Sequence, residues 1–316
     1  MRAIVADDRT VVSLCDASGV FVRPWRAAGF RCVCVDLAFR PGVELRDGVE
    51  CVGGDVRDLP GIRGRPCVVA AWPPCTDLAS VGSHAWAAKG RDALRAAVGV
   101  VDCCVRLAVR SRAWAWLVEN PRGRLSHFLG PPDHCFHPCD YGGYLSGGGD
   151  AYTKKTGLWV GGSFAMPTPR PVPAVEGSLC GEVENVRRRS ETPRGFALAA
   201  AMTLQAAMVS DGTFPPGCAC LDGSWESSRA PELFRAGEPL RPPDVRPCGW
   251  CGRDLSGRVD RTYCTTRCRV AAFRGRRGPP RLFGPPGIGL DAAGRGEPFS
   301  SGEPLQPANL LRAIDV

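Results

Sequence analysis

The sequence predicts an α/β fold built on a doubly wound parallel sheet, followed by a small cysteine-rich module. Three observations support this prediction. Apolar segments of strand length alternate with helical segments through the first two thirds of the 316-residue chain. Each apolar segment ends in a polar or reactive residue, as is typical of open sheets that bind ligands at the carboxyl ends of their strands. Two close pairs of cysteines follow towards the end of the chain.

Five short apolar segments are predicted to form the first strands. They span 11–14, 31–35, 49–52, 67–71 and 115–118. The other predicted elements are helical segments at 25–29 and 91–109, an irregular strand at 135–144 and a strand at 157–161. A last helix is predicted through Met208, with Thr192 as its N-cap and Pro193 at its first helical position.

Composition favours a globular protein without membrane association. Hydrophobic residues make up 44% of the chain, the mean hydropathy is −0.10, and no apolar run is long enough to cross a bilayer. We expect no secretion signal, because Asp7, Asp8 and Arg9 lie where a signal peptide needs its apolar core. The 17 cysteines are therefore expected to be reduced thiols or metal ligands rather than disulfides.

The net charge of +8 makes nucleic acid a candidate partner. Only Lys89, Lys154 and Lys155 among the 40 basic residues are lysines, and arginine favours bidentate contacts with phosphate. A GC-rich genome is the simpler explanation for most of this arginine bias.

Polar or reactive residues follow all five predicted strands. They are Asp16, Asp36, Asp55, Cys75 and Glu119. Because the carboxyl ends of parallel strands meet at one edge, these side chains are expected to line one crevice. Each carboxylate alone is better explained as a loop residue or a helix cap, so it is the series, and not any single member, that favours a site.

Cys75 is the candidate nucleophile. Pro73 and Pro74 come directly before it and can continue neither a sheet nor a helix, which places the thiol on a rigid loop. The alternative is an ordinary buried thiol. The two prolines, and Glu119 at the end of the next strand, favour catalysis.

The chain resembles the DNA (cytosine-5) methyltransferases, of the compact type found in phages. The similar segments are 13–19 with 25–29, Asp36, Asp55, Pro73-Pro74-Cys75, Glu119-Asn120-Pro121 and 192–196. The resemblance implies a Rossmann-like catalytic domain at 1–210 that binds S-adenosylmethionine and DNA. It implies methyl transfer to cytosine C5 through a covalent bond between a thiol and C6, on a base flipped out of the duplex.

The resemblance also implies roles for individual residues. Catalysis is expected from Cys75, Glu119 and Lys154. We expect Glu119 to be partly desolvated, so that it gives a proton or a hydrogen bond to cytosine N3, and Lys154 to lie where the family places a base-contacting arginine. The residues expected to bind the cofactor are Asp16, Ser18, Gly19, Asp36, Asp55, Pro73 and Thr192. Those expected to bind the substrate base are Pro74 and Asn120.

Four cysteines predict a zinc site in a module at 247–277. They are Cys248, Cys251, Cys264 and Cys268, which form C-x₂-C and C-x₃-C pairs twelve residues apart. Four thiolates at these spacings can close a tetrahedral zinc site, and in so short a segment the metal would supply the folding energy. Free thiols are the alternative. The excess of arginine here suits contact with DNA phosphates or, alternatively, a protein-interaction surface.

Residues 211–246 are predicted to be a linker, and 278–316 a Pro/Gly-rich, disordered tail. The leading hypothesis is cytosine-C5 methylation of DNA, in the cytoplasm of a bacterium or of a phage-infected cell, with a monomer favoured. One alternative is cytosine-C5 methylation of RNA. The other is a non-catalytic, zinc-dependent DNA-binding protein on a methyltransferase scaffold.

Overall fold

An eight-stranded mixed sheet forms the centre of the protein in a computed structural model that describes residues 1–175 and 191–213. The strands are β1 (Ile4–Ala6), β2 (Thr10–Leu14), β3 (Arg31–Asp36), β4 (Gly42–Arg46), β5 (Val49–Gly53), β6 (Ile62–Gly64), β7 (Val68–Ala71), β8 (Ala115–Pro121), β9 (His134–Phe136) and β10 (Thr156–Gly162). The helices are α1 (Arg23–Ala27), α2 (Trp86–Arg110), α3 (Ser126–Leu129) and α4 (Arg194–Ser210).

The strand order in the large sheet is β4-β5-β3-β2-β7-β8-β10-β9. Its five inner strands, β5, β3, β2, β7 and β8, are parallel. After β2 the chain adds β3 and β5 on one side, and it then adds β7 and β8 on the other side, so the strand order reverses between β2 and β7. Such a reversal is the switch point at which open α/β sheets bind ligands. The predicted α/β class is confirmed. The five inner strands form a parallel sheet as predicted, and β4 and β10 add antiparallel pairings on either side of them.

Both faces of the sheet are buried, as in a doubly wound fold. Alternate side chains point to opposite faces, so Val68 joins the aromatic cluster of α1 and α4, whereas Val69 joins the cluster under α2. Such strands must be apolar on both sides, which explains the continuous apolar runs that predicted them.

The start of α4 differs from the sequence prediction. The helix begins at Arg194, and Pro193 takes the cap position with an extended backbone (φ −58°, ψ 127°). Thr192 is therefore not the N-cap, because Pro193 lies outside the helix and itself has the extended backbone of a cap residue. The Asp150 side chain supplies the missing acceptor, since the backbone N–H of Gly195 donates to Asp150 Oδ2 at 2.8 Å.

The segment predicted as an irregular strand at 135–144 is also different. Only β9 forms a strand there, and the chain then turns into a 3₁₀ segment over Pro138–Tyr144. Pro138 lacks the N–H that a further pairing strand would need. The 3₁₀ segment instead packs against α4, where Gly195 comes so close to Tyr141 that a β-carbon would lie 2.2 Å from the Tyr141 carbonyl oxygen.

None of the helices in the described ranges is both long and apolar enough to span a bilayer. The predicted zinc cysteines, Cys248, Cys251, Cys264 and Cys268, lie outside the described residues. So do the predicted tail at 278–316 and all but the first three residues of the predicted linker. These predictions, and the domain limits that go with them, stay predictions.

Candidate active site

The topology of the sheet brings the predicted site residues to one edge. Because β2, β3, β5, β7 and β8 are parallel, the polar residues at their carboxyl ends lie along the same side of the sheet. Strand β10 runs the other way and pairs Leu158 with Glu119, so it is the beginning of β10 that lies at this edge. Lys154, two residues before β10, reaches the site for this reason.

The turn after β2 is organised around the buried carboxylate of Asp16. Its Oδ1 accepts the backbone N–H groups of Ser18 (3.1 Å) and Gly19 (2.8 Å), and the Ser18 hydroxyl donates to the same atom at 2.7 Å. The Ser13 hydroxyl donates to Oδ2 at 2.8 Å. Burial raises the pKa of Asp16 despite these hydrogen bonds, each of which acts to lower it. Gly19 has a φ of 61°, a conformation that favours glycine.

Asp36 and Asp55 lie side by side at the ends of β3 and β5. The backbone N–H of Gly54 donates to the Asp36 carbonyl at 3.1 Å, and the Asp36 side chain accepts the N–H of Ala38 at 2.7 Å. Asp55 is buried and held by Arg57, which donates through Nε at 2.9 Å and through Nη2 at 2.5 Å. Asp36 is thus the more accessible carboxylate for a ligand, whereas Asp55 is already bound in an ion pair with Arg57.

The loop with Cys75 is tied to both neighbouring strands. The Trp72 indole N–H donates to the Ser13 hydroxyl at 3.0 Å, and Asn120 Nδ2 donates to the Pro73 carbonyl at 3.0 Å. The buried Asn120 Oδ1 has no hydrogen-bond partner among the described residues, so a ligand donor could still bind there. Pro73 is buried and Pro74 is exposed, which leaves the second proline on the surface of the crevice.

Cys75 differs in its surroundings from most cysteines of this domain. It is half-buried, and none of the ten cysteines in the described ranges forms a disulfide. Burial raises the pKa of Cys32 to about 12, and that of Cys51 and Cys103 to about 11, so these thiols are poor nucleophiles. Accessibility and the rigid loop together single out Cys75.

Glu119 and Lys154 form a buried ion pair. Lys154 Nζ lies 3.1 Å from Glu119 Oε1, and the two side chains are only 7% and 9% exposed, for the lysine and the glutamate respectively. The pair sits at the carboxyl end of β8, one residue before the asparagine that holds the Cys75 loop. The acid, the cation and the thiol are therefore carried by adjoining strand ends.

Thr192, which the resemblance assigns to the cofactor site, is buried just before α4. Arg23 links this segment to the Asp16 turn. Burial lowers the pKa of Arg23, and the neighbouring Arg194 guanidinium lowers it further, whereas the carboxylates of Asp16 and Glu191 raise it. The start of α4 thus lies within electrostatic reach of the same arginine as Asp16.

Three residues that support the site were given no individual role from the sequence: Ser13, Trp72 and Arg57. Ser13 is a polar residue inside the apolar run of β2, and it joins the indole of Trp72 to Asp16. That irregularity was a usable signal. The sequence around Arg57 gave no such signal, because its bond to Asp55 depends on the 3₁₀ turn over Val56–Asp58.

Among the residues that the structure describes, no group of His, Cys, Asp and Glu side chains is arranged to hold a metal ion.

No protein-family model matches the sequence, and no curated protein matches it. Among solved structures, the chain matches an Escherichia coli prophage-encoded protein described as a DNA modification methyltransferase, with 16% sequence identity and a TM-score of 0.33. The match covers 55% of this chain and 55% of that chain, so this chain spans about half of its neighbour's length.

The residues of the chain itself define its class. It is a mixed α/β protein with carboxylates, an accessible thiol and a buried ion pair at the carboxyl edge of its central sheet.

Proposed function

We propose that this protein transfers a methyl group from S-adenosylmethionine to C5 of cytosine in DNA. The observation that carries the proposal is the position of Cys75. Its loop is bonded through Pro73 to Asn120, the residue that follows the buried Glu119–Lys154 pair. A nucleophile and an acid beside one switch point are what covalent activation of a pyrimidine ring requires.

The residues at the edge of the sheet fit the cofactor by their chemistry. Asp36 is a partly exposed carboxylate at the end of the second parallel strand, where ribose hydroxyls are commonly bound. The Asp16–Gly19 turn offers a close backbone approach, because Gly19 has no side chain. Ser18, Asp55, Pro73 and Thr192 would complete the cofactor site. Bound S-adenosylmethionine would supply an electrophilic methyl group.

Cys75 supplies the nucleophile in this reaction. Its thiolate would add to cytosine C6 and make C5 electron-rich, and the bound cofactor would supply the methyl group to C5 and leave as a neutral thioether. Water in the crevice would then take the C5 proton, which expels the thiolate and restores the ring. Because C6 is stacked inside a duplex, the cytosine must first leave the stack, and Pro74 and Asn120 would contact it in the crevice.

Glu119 and Lys154 act on the other side of the ring. Addition of a thiolate places negative charge on the pyrimidine, which a proton or hydrogen bond at N3 stabilises. As the donor in this proposal, Glu119 acts in its carboxylic acid form when the base is bound, whereas the ion pair with Lys154 belongs to the site without a base. Lys154 supplies positive charge beside it. The pair is largely withdrawn from water, so each electrostatic contact is stronger than it would be in solvent.

Bisulfite sequencing of DNA from cells that express the full chain tests the proposal. We expect methylated cytosines with the wild type and none above background with Cys75→Ser, because a serine alkoxide is far harder to form at neutral pH. Matched DNA and RNA substrates in vitro separate the DNA activity from its RNA alternative. Methylation that persists in Cys75→Ser would contradict the proposal.

A chain that lacks residues 247–316 distinguishes an enzyme from the remaining alternative, a non-catalytic, zinc-dependent DNA-binding protein. The proposed enzyme keeps residual methylation, because its site lies in the sheet. A non-catalytic DNA-binding protein would show no methylation in either form, and would lose its DNA binding with the module.

A further inference from the structure

We propose that Arg124 is a positioning residue that fixes the Cys75 loop to the end of β8 and thereby sets the thiol against Glu119. The inference rests on the proposed function for its catalytic meaning. The contacts by which Arg124 fixes the Cys75 loop do not depend on which reaction the protein catalyses.

Residues 122–124 lie alongside the Cys75 loop like a short extra strand. Ala79 and Gly123 form an isolated antiparallel bridge, the N–H of Arg124 donates to the Leu78 carbonyl at 2.9 Å, and the Ser80 hydroxyl donates to the Arg122 carbonyl at 2.6 Å. The approach is close. A β-carbon on Gly123 would lie 2.0 Å from the Leu78 carbonyl oxygen.

The Arg124 side chain closes this contact from the outside. Its Nε donates to the Asp77 carbonyl at 3.0 Å, and its guanidinium lies over the Trp86 ring, 4.0 Å from the centroid. Trp86 begins α2, so one planar cation touches both ends of the segment that follows Cys75. Lysine could not replace it, because arginine combines a directional donor with a charged flat face that can stack on an indole.

Residues 122–124 also contact the segment that carries Lys154. The N–H of Arg122 donates to the Lys155 carbonyl at 2.9 Å, next to Lys154. On the loop side, the Cys75 carbonyl accepts the N–H groups of Leu78 (2.9 Å) and Ala79 (2.8 Å), and Leu78 is fully buried. The turn that carries the thiol is therefore anchored at Leu78 and Ala79, the residues that meet 123–124.

Arg124 could instead serve as a surface cation that attracts DNA phosphate, and substitutions separate the two roles. Arg124→Lys keeps the charge but loses the planar stack and the fixed Nε donor. Arg122→Ala is the matched control, because it removes the same charge two residues away while its carbonyl remains. The exposed Arg122 contributes only backbone to the bonds given above.

Hydrogen exchange by mass spectrometry on the full chain, without DNA, measures the loop directly. We expect Arg124→Lys and Arg124→Ala to speed exchange at residues 76–82 by roughly tenfold or more, and Arg122→Ala to leave it unchanged. Trp86→Leu, which keeps the cation and removes its ring, should loosen the same residues and serves as the test if Arg124→Ala does not fold. Wild-type exchange in Arg124→Lys, or equal loosening in Arg122→Ala, would overturn the inference.

The rate at which DNA containing 5-fluorocytosine is trapped on the protein gives the second readout. With the loop loosened, Arg124→Lys should form the adduct roughly tenfold more slowly while cofactor affinity stays within about twofold of wild type. Loosening without any wild-type adduct would retain the positioning role and reject the proposed reaction. A normal wild-type adduct, together with unchanged exchange at residues 76–82 in Arg124→Lys, would retain the proposed reaction and reject the positioning role.

Discussion

Glu119→Gln is expected to lower the single-turnover rate of methylation by about two to four orders of magnitude. Glutamine keeps the shape of the side chain but cannot give a proton to cytosine N3, and general acid catalysis contributes a factor of this size. The measurement is the rate of methyl transfer to a cytosine-containing duplex with cofactor in excess. A Glu119→Gln protein within tenfold of the wild-type rate would show that Glu119 is not the acid.

The same substitution should also destabilise the fold by about 3–5 kcal/mol, because it leaves the Lys154 cation buried without its counter-charge. The double variant Glu119→Gln/Lys154→Met separates the two effects. Methionine carries no charge and suits a buried position, so most of the free energy of unfolding should return while methylation stays low. Recovery of the methylation rate in the double variant would mean that Glu119→Gln acts through stability alone.

Phe196→Ala is expected to reduce the free energy of unfolding by about 3–5 kcal/mol, the cost of removing a large ring from a packed core. Phe196 is fully buried in α4 and stacks on Phe136 of β9, with ring centroids 4.5 Å apart. It also meets Tyr141 edge-on at 5.4 Å. Denaturant unfolding measures the loss. Because Thr192 lies just ahead of this helix, cofactor affinity should fall with it.

Phe128→Ala is the matched control, since Phe128 is 49% exposed on the short helix α3. Its removal should change the free energy of unfolding by no more than about 0.5 kcal/mol. A loss below about 1 kcal/mol for Phe196→Ala, or equal losses for both variants, would contradict the described packing of α4 on the sheet.

The inner strands were predictable from the sequence because both of their faces are buried. The edge strand β4 was missed although its apolar and polar residues alternate, because Val43 and Leu45 are isolated apolar residues, 65% and 73% exposed, and form no continuous apolar run like those of the inner strands. The turn after β4 was nonetheless marked. Asp47 and Gly48 take φ values of 46° and 73° between Arg46 and Val49, and an Asp-Gly pair is a strong signal for a two-residue hairpin.

The site was predictable as far as it depends on strand ends, and not where it depends on contacts between distant segments. Asp36, Cys75 and Glu119 could be placed at one edge from the periodicity alone. That Lys154 binds Glu119 follows from the antiparallel pairing of β10 with β8, which no local pattern encodes. The cap of α4 shows the same limit, because its acceptor is Asp150 rather than the adjacent Thr192.

The central claim is that Cys75 forms a covalent bond with cytosine C6. Its most direct test is to incubate the full chain with S-adenosylmethionine and duplex DNA containing 5-fluorocytosine, digest the product and locate the modified peptide by mass spectrometry. Fluorine at C5 blocks the final proton loss, so the adduct should accumulate on the peptide that contains Cys75 and be missing in Cys75→Ser. A wild-type protein that binds the cofactor and the DNA yet forms no adduct, or forms it on another cysteine, would contradict the account.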